Sequence, residues 1–116
     1  MSSSVLIVDY DAGNLRSVTR AVARSGATAI VTDKPEDLKG ADAVILPGVG
    51  SAADTMSKLV SKSLDEPLRE YISSGRPFLG VCMGMQALFD FSEEGGGQKC
   101  LGIFSGKVHH FSLENL

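Results

Sequence analysis

Tryptophan is absent, cysteine and tyrosine occur twice each, and aromatic residues are 6% of the 116 positions. The two thiols, Cys82 and Cys100, have neither C-x-x-C nor histidine-ligand spacing. That excludes a disulfide-stapled scaffold, argues against a zinc site, and suits a reducing, cytoplasmic setting. No apolar run approaches the roughly 18 residues of a membrane span. The opening Met1-Ser2-Ser3-Ser4-Val5-Leu6-Ile7-Val8-Asp9 lacks a basic segment and reaches a carboxylate after four apolar residues, so it reads as a strand rather than a secretion signal. Blocks of like charge are also missing: 11 Lys and Arg face 14 Asp and Glu, for a net charge of −3. Neither a nucleic-acid groove nor a membrane-binding patch is expected. There is no Walker loop, no G-x-G-x-x-G and no internal repeat, and no cofactor is expected.

What is present is an ordinary globular composition, 43% hydrophobic and 22% charged. A chain of this length buries roughly 65% of its unfolded surface, enough for one core. Val5 to Val8 is a short continuous apolar run, the mark of a strand buried on both faces. Asp9 to Gly13 is a link, with Asn14 as N-cap of a helix carrying Leu15, Val18 and Val22 and closed by Ser25-Gly26. Thr28 to Thr32 reads as a second strand, Pro35 to Leu38 as one helical turn and Ala43 to Leu46 as a third strand. Ser51 and Asp54 form a capping-box pair for a helix with the stripe Ala52, Met56, Leu59 and Val60. Ser63 and Glu66 repeat the pair for a helix carrying Leu64, Leu68, Tyr71 and Ile72, ended by Gly75. Phe78 to Val81 is a fourth strand and Met83 to Phe91 a fourth helix. Glu93 to Lys99 reads as a mobile loop. Leu101 to Phe104 and Lys107 to Phe111 read as two strands meeting at Ser105-Gly106. Strands alternating with helices predict a three-layer α/β sandwich around a mostly parallel sheet, with ligands beyond the carboxyl ends of the strands.

Three loops lie at those ends: Asp9 to Asn14, Pro47 to Gly50 and Cys82 to Gly84. Gly80-Val81-Cys82-Met83-Gly84 has the G-x-C-x-G form of a nucleophile elbow. A sharp strand-to-helix turn lifts the sulfur above the sheet, and the flanking glycines let the backbone pass its neighbours. The following helix directs N–H groups and its positive dipole end at the sulfur, and the Met83 N–H is placed to bind an oxyanion. Taken alone, a free cysteine is more often a buried small hydrophobe. Pro47-Gly48-Val49-Gly50 can supply the second oxyanion donor that an elbow needs; otherwise it is a plain turn before a helix. Gln86 stands one helical turn after Cys82, where its amide reaches the same pocket or simply meets solvent.

Together, Asp9-Tyr10, Gly13-Asn14-Leu15-Arg16-Ser17-Val18, Leu46-Pro47-Gly48-Val49-Gly50 and Gly80-Val81-Cys82-Met83-Gly84-Met85-Gln86 resemble the class I (triad) glutamine amidotransferases. The Pro-Gly-Val-Gly form and the Asp-Tyr and Gly-Asn segment are similar to the histidine-pathway subgroup, the glutaminase subunits of imidazole glycerol phosphate synthase. Ser92 to Gly95 and Gly102 to Val108 also resemble it. The resemblance implies a flavodoxin-like fold, incomplete at the C-terminus, with residues 1–116 forming the N-terminal part of a single amidotransferase domain. It implies Cys82 as the nucleophile toward L-glutamine and an oxyanion held by N–H groups of Val49 or Gly50 and of Met83. Gly48 and Gln86 would bind the substrate. A (βα)₈-barrel cyclase subunit would receive the ammonia and form imidazole glycerol phosphate and an aminoimidazole-carboxamide ribotide.

The family carries a His-x-Glu pair in a later segment, and the sequence stops at Leu116 before one occurs. His109 and His110 are not followed by such a pattern, and neither is assigned as the base. Loss of a triad member costs about 10⁴ to 10⁶ in turnover, so the chain alone is expected to be nearly inactive. It is also expected to be marginally folded, with apolar surface and a sheet edge left open. Two other readings fit the residues. A different cysteine hydrolase predicts thiol-dependent ester hydrolysis with no glutamine preference. A non-catalytic flavodoxin-like binding module predicts partner binding indifferent to Cys82→Ala.

Overall fold

A computed structural model describes residues 4–11, 13 and 15–111. Four parallel strands form the main sheet: β1 (Ser4–Val8), β2 (Thr28–Thr32), β3 (Val44–Leu46) and β4 (Phe78–Gly80), in the order β2-β1-β3-β4. Register sets its two faces. Leu6 pairs with Val44 and Val44 with Phe78, so Leu6, Val8, Val44, Leu46 and Phe78 share one face. Helices α2 (Ala52–Ser61) and α3 (Asp65–Ser73) pack there, joining Met56, Leu59, Leu64, Leu68 and Tyr71 to a single core. Ile7, Ile45, Leu79 and Val31 share the opposite face. Helix α1 (Leu15–Arg24) lies against β1 and β2, and Ile7 is fully buried, whereas Leu79 is 55% exposed. The layers are helix, sheet, helix, as expected, with the α1 side only part covered. Among the described residues no helix is long and apolar enough to cross a membrane.

Capping follows the sequence at one helix and not at the next. The Ser51 hydroxyl accepts the Asp54 N–H at 3.1 Å and starts α2. No such box starts α3: Ser63 turns left-handed at φ 57°, Leu64 is the N-cap residue, and its side chain is driven into the core. The α2 stripe is Ala52, Thr55, Met56 and Leu59; Val60, expected within it, is exposed. The N-cap expected at Asn14 lies outside the described residues.

The main departure follows the elbow. The helix expected to reach Phe91 is one turn, α4 (Met83–Gln86). Its continuation is blocked because the carbonyls it would use are taken: Ala87 accepts from Leu101, Leu88 from Ile103 and Phe104, and Phe89 from Gly102, at 2.8–3.0 Å. Phe89-Asp90-Phe91-Ser92 alternates apolar with polar and forms β5 (Phe89–Ser92). A second sheet has the order β6-β5-β7, with β6 (Gln98–Lys99) antiparallel and β7 (Phe104–Val108) parallel to β5. The two strands expected around Ser105-Gly106 are therefore one strand that runs through the glycine. The Gly106 N–H is held by the Asp90 carboxylate at 3.0 Å. The segment expected to be a mobile loop is a tight turn, Glu94–Gly96, leading into β6.

Candidate active site

The site is built where β1, β3 and β4 end. Val81 continues β4, its N–H donating to the Leu46 carbonyl at 3.0 Å, and the chain then reverses at Cys82. The Cys82 backbone has φ 54° and ψ −117°, far from the left-handed helical basin and adopted at a cost of about 1–3 kcal/mol by a residue with a Cβ. Its carbonyl accepts from Met85 and Gln86 at 3.0 and 3.1 Å, so the turn commits directly to α4 while the side chain stands exposed. Gly84 explains the spacing. A Cβ there would strike the Leu46 carbonyl, and one at Gly80 would meet the Gly84 carbonyl at 2.7 Å. Elbow and β3 interlock backbone to backbone, an approach that glycine at positions 80 and 84 permits.

Beside the elbow, Pro47 and Gly48 are buried while Val49 and Gly50 are exposed, Gly50 at φ 97°. The Met83 N–H donates to the Gly48 carbonyl at 3.2 Å. The amide expected to face an oxyanion is therefore already engaged by the loop expected to supply its partner. Because α4 is a single turn, the dipole expected at the sulfur is reduced to those first N–H groups. Gln86 is half-buried one turn from Cys82. Gly48 and Met83 are thus in direct contact beside Cys82, Gln86 follows one turn on, and Val49 and Gly50 are exposed on the adjoining loop.

Three further side chains stand around this loop and the helix α2 that follows it. Tyr10 is 1% exposed, and its hydroxyl donates to the Pro47 carbonyl at 2.5 Å. Burial is the main reason its phenol is pushed up to about 12, with the Asp54 charge adding and the nearby Thr55 hydroxyl opposing. Thr55, on α2, is itself buried. Glu94, in the glycine-rich turn, accepts the Ala52 N–H at 2.8 Å and ties that turn to the start of α2. A tyrosine closing an apolar strand run was the available signal for the first; nothing local distinguishes Thr55 or Glu94. His109 lies elsewhere, its Nδ1 2.7 Å from the Glu93 carboxylate.

Known proteins bear out this architecture. The chain is 48% identical over 110 residues to the imidazole glycerol phosphate synthase subunit HisH of Gloeothece citriformis, covering 95% of this chain and 52% of that one. It is 49% identical over 104 residues to the same subunit of Dehalococcoides mccartyi (strain CBDB1), covering 90% and 51%. The chain thus spans about half the length of the curated relatives it matches. A crystal structure of a glutamine amidotransferase superposes with a TM-score of 0.74 at 24% identity, over 89% of this chain and 54% of that one. A putative peptidase E from Listeria monocytogenes EGD-e gives 0.65 at 15% identity, over 76% and 50%. Both structural likenesses speak to the fold alone. The SNO glutamine amidotransferase family matches residues 10–112, and with the interlocked elbow inside that span the chain belongs to this family.

Proposed function

We propose that residues 1–116 are the N-terminal part of a single glutamine amidotransferase domain that hydrolyses L-glutamine with Cys82 as nucleophile. The observation that carries this reading is the exposed Cys82 side chain on a strained, positive-φ backbone between β4 and α4. The thiolate attacks the side-chain amide carbon, and the carbonyl π electrons move to oxygen. A base that has taken the Cys82 thiol proton gives it to the amide nitrogen, the oxyanion re-forms its carbonyl and the C–N bond breaks, releasing ammonia and leaving a γ-glutamyl thioester at Cys82. Water then adds, losing a proton to a base. The C–S bond breaks, releasing glutamate and restoring the thiolate. The oxyanion is held by the Met83 N–H with that of Val49 or Gly50, after the Gly48 carbonyl has moved off Met83. Gly48 and Gln86 line the glutamine pocket. The base comes from the half of the relatives' length that this chain does not span. The relatives are named as subunits of imidazole glycerol phosphate synthase, which supports a partner subunit; in this reading that partner is a (βα)₈-barrel cyclase, and the ammonia passes to it. The heterodimer works in the cytoplasm on the histidine pathway.

Intact-mass spectrometry after exposure to a glutamine-mimicking diazo ketone tests the assignment. One adduct is expected, on Cys82, lost in Cys82→Ala and suppressed by excess glutamine. Adducts insensitive to glutamine would favour a different cysteine hydrolase, and labelling centred on Cys100 would refute the reading.

A further inference from the structure

A cavity of about 440 Å³ opens between the short helical turn Pro35–Gly40 and α3. Small-molecule sites typically enclose about 300–1,000 Å³. Its residues precede β3 and β4 in the chain, whereas the elbow follows β4. The floor is apolar: Leu38 and Tyr71 are each 2% exposed, and Pro35 and Pro67 form stiff walls. Arg76 braces the two sides. Its guanidinium lies 4.4 Å from the centroid of the Tyr71 ring and donates to the Lys39 and Ala41 carbonyls at 2.8 and 3.1 Å. The cavity is therefore built into the fold, and Arg76 is committed to building it. Other charges at the mouth are uncommitted. Glu66 pairs with Arg69, but Glu36, Glu70 and Lys39 are exposed and, among the described residues, make no ion pair. Two carboxylates and one ammonium thus border one apolar floor.

We propose that this cavity binds a free basic α-amino acid, a molecule with two cationic groups, one carboxylate and an alkyl stem. The number and sign of the uncommitted charges match it. Lys39 takes the carboxylate, Glu36 and Glu70 take the α-ammonium and the side-chain cation, and the stem lies between Pro35 and Pro67. A neutral amino acid leaves one carboxylate unmatched, and an acidic one adds repulsion. Each charged head stays close to water, so no single pair dominates and the three together set the affinity. The proposal makes no use of Cys82 and is independent of the glutaminase reading.

Amide chemical-shift titration of the 116-residue chain with L-arginine tests it. Saturable shifts should centre on Leu38, Lys39 and Glu70, with half-saturation at about 1 mM. L-Norleucine, which lacks the side-chain cation, should bind about threefold to fivefold more weakly, and Glu70→Gln should weaken L-arginine by a similar factor. Agmatine lacks the carboxylate and supplies a test of sign: Lys39→Gln should weaken L-arginine and leave agmatine unchanged or tighter. Nα-acetyl-L-arginine amide presents the side chain as a peptide does and should bind more weakly than L-arginine. Equal binding would assign the site to an arginine of another protein and overturn the free amino acid. Shifts that do not saturate, that spread to carboxylates elsewhere such as Asp54, or that change alike for L-arginine and agmatine in Lys39→Gln would overturn the site itself.

Discussion

The backbone at Cys82 occupies a conformation that glycine adopts freely and cysteine does not. Cys82→Gly should therefore stabilise the fold by about 1 kcal/mol while abolishing nucleophilic reactivity, read as a higher urea midpoint. Gly84→Ala has the opposite sign: its methyl would drive into the Leu46 carbonyl, costing about 3 kcal/mol or more. The two buried phenols respond to alkali. Tyr10 is raised to about 12, and Tyr71 is raised by burial despite the Arg76 guanidinium over its ring. A raised phenol stabilises the fold fully below the unfolded value, near 10, and that contribution is lost as pH climbs through the folded value. For Tyr10 it is about 2–3 kcal/mol, lost between about pH 10 and 12. Phenolate absorbance should therefore develop late and together with unfolding. The elbow was legible at this scale because two glycines around a cysteine leave few other structures. The engagement of Met83 by Gly48 was not, since which carbonyl an amide meets depends on a loop from another strand.

Elements were legible where periodicity was long. The apolar runs at β1 and β3 and most of the stripes of α2 and α3 formed as read, Ala52, Met56 and Leu59 on α2 and Leu68 and Tyr71 on α3 entering the same core. Reading failed after Gln86. Ala87 and Leu88 suit a helix locally, but their carbonyls are claimed by residues 101–104, contacts no local pattern announces. Val60 and Ser63 also departed: Thr55 is buried on α2 while Val60 is exposed, and Ser63 turns left-handed instead of capping α3. In the second sheet, Glu93 and His109 tie β5 to the end of β7. The hydrogen bond to His109 is the main reason the Glu93 carboxyl lies below its ordinary value. A lowered carboxylate stabilises above its unfolded value and loses that effect as pH falls through the folded one. His109→Ala should return the Glu93 titration, followed by carboxyl-carbon NMR, toward the ordinary range and weaken the acid-side stability of β7.

At the scale of the whole molecule, the expected open surface is present. Strand β4 is an edge of the main sheet among the described residues, and Leu79 faces outward on it beyond the cover of α1. An exposed apolar edge strand is a template for association between copies. Leu79→Lys should reduce concentration-dependent light scattering while changing stability by no more than about 0.5 kcal/mol. A large loss of stability would mean that this face is covered in solution. The parallel order and the gathering of three loops at one end of the sheet followed from the alternation of elements. The second sheet, which closes the glycine-rich side, did not.

Cys82 is exposed and Cys100 is buried with its thiol pushed up by burial, and the proposed role makes Cys82 the nucleophile toward glutamine. Peptide-resolved alkylation kinetics with iodoacetamide at neutral pH tests it directly. The account predicts that Cys82 reacts at least about tenfold faster than Cys100 and is protected by glutamine but not by asparagine. Equal labelling of the two cysteines, or a Cys82 rate indifferent to glutamine, would contradict it.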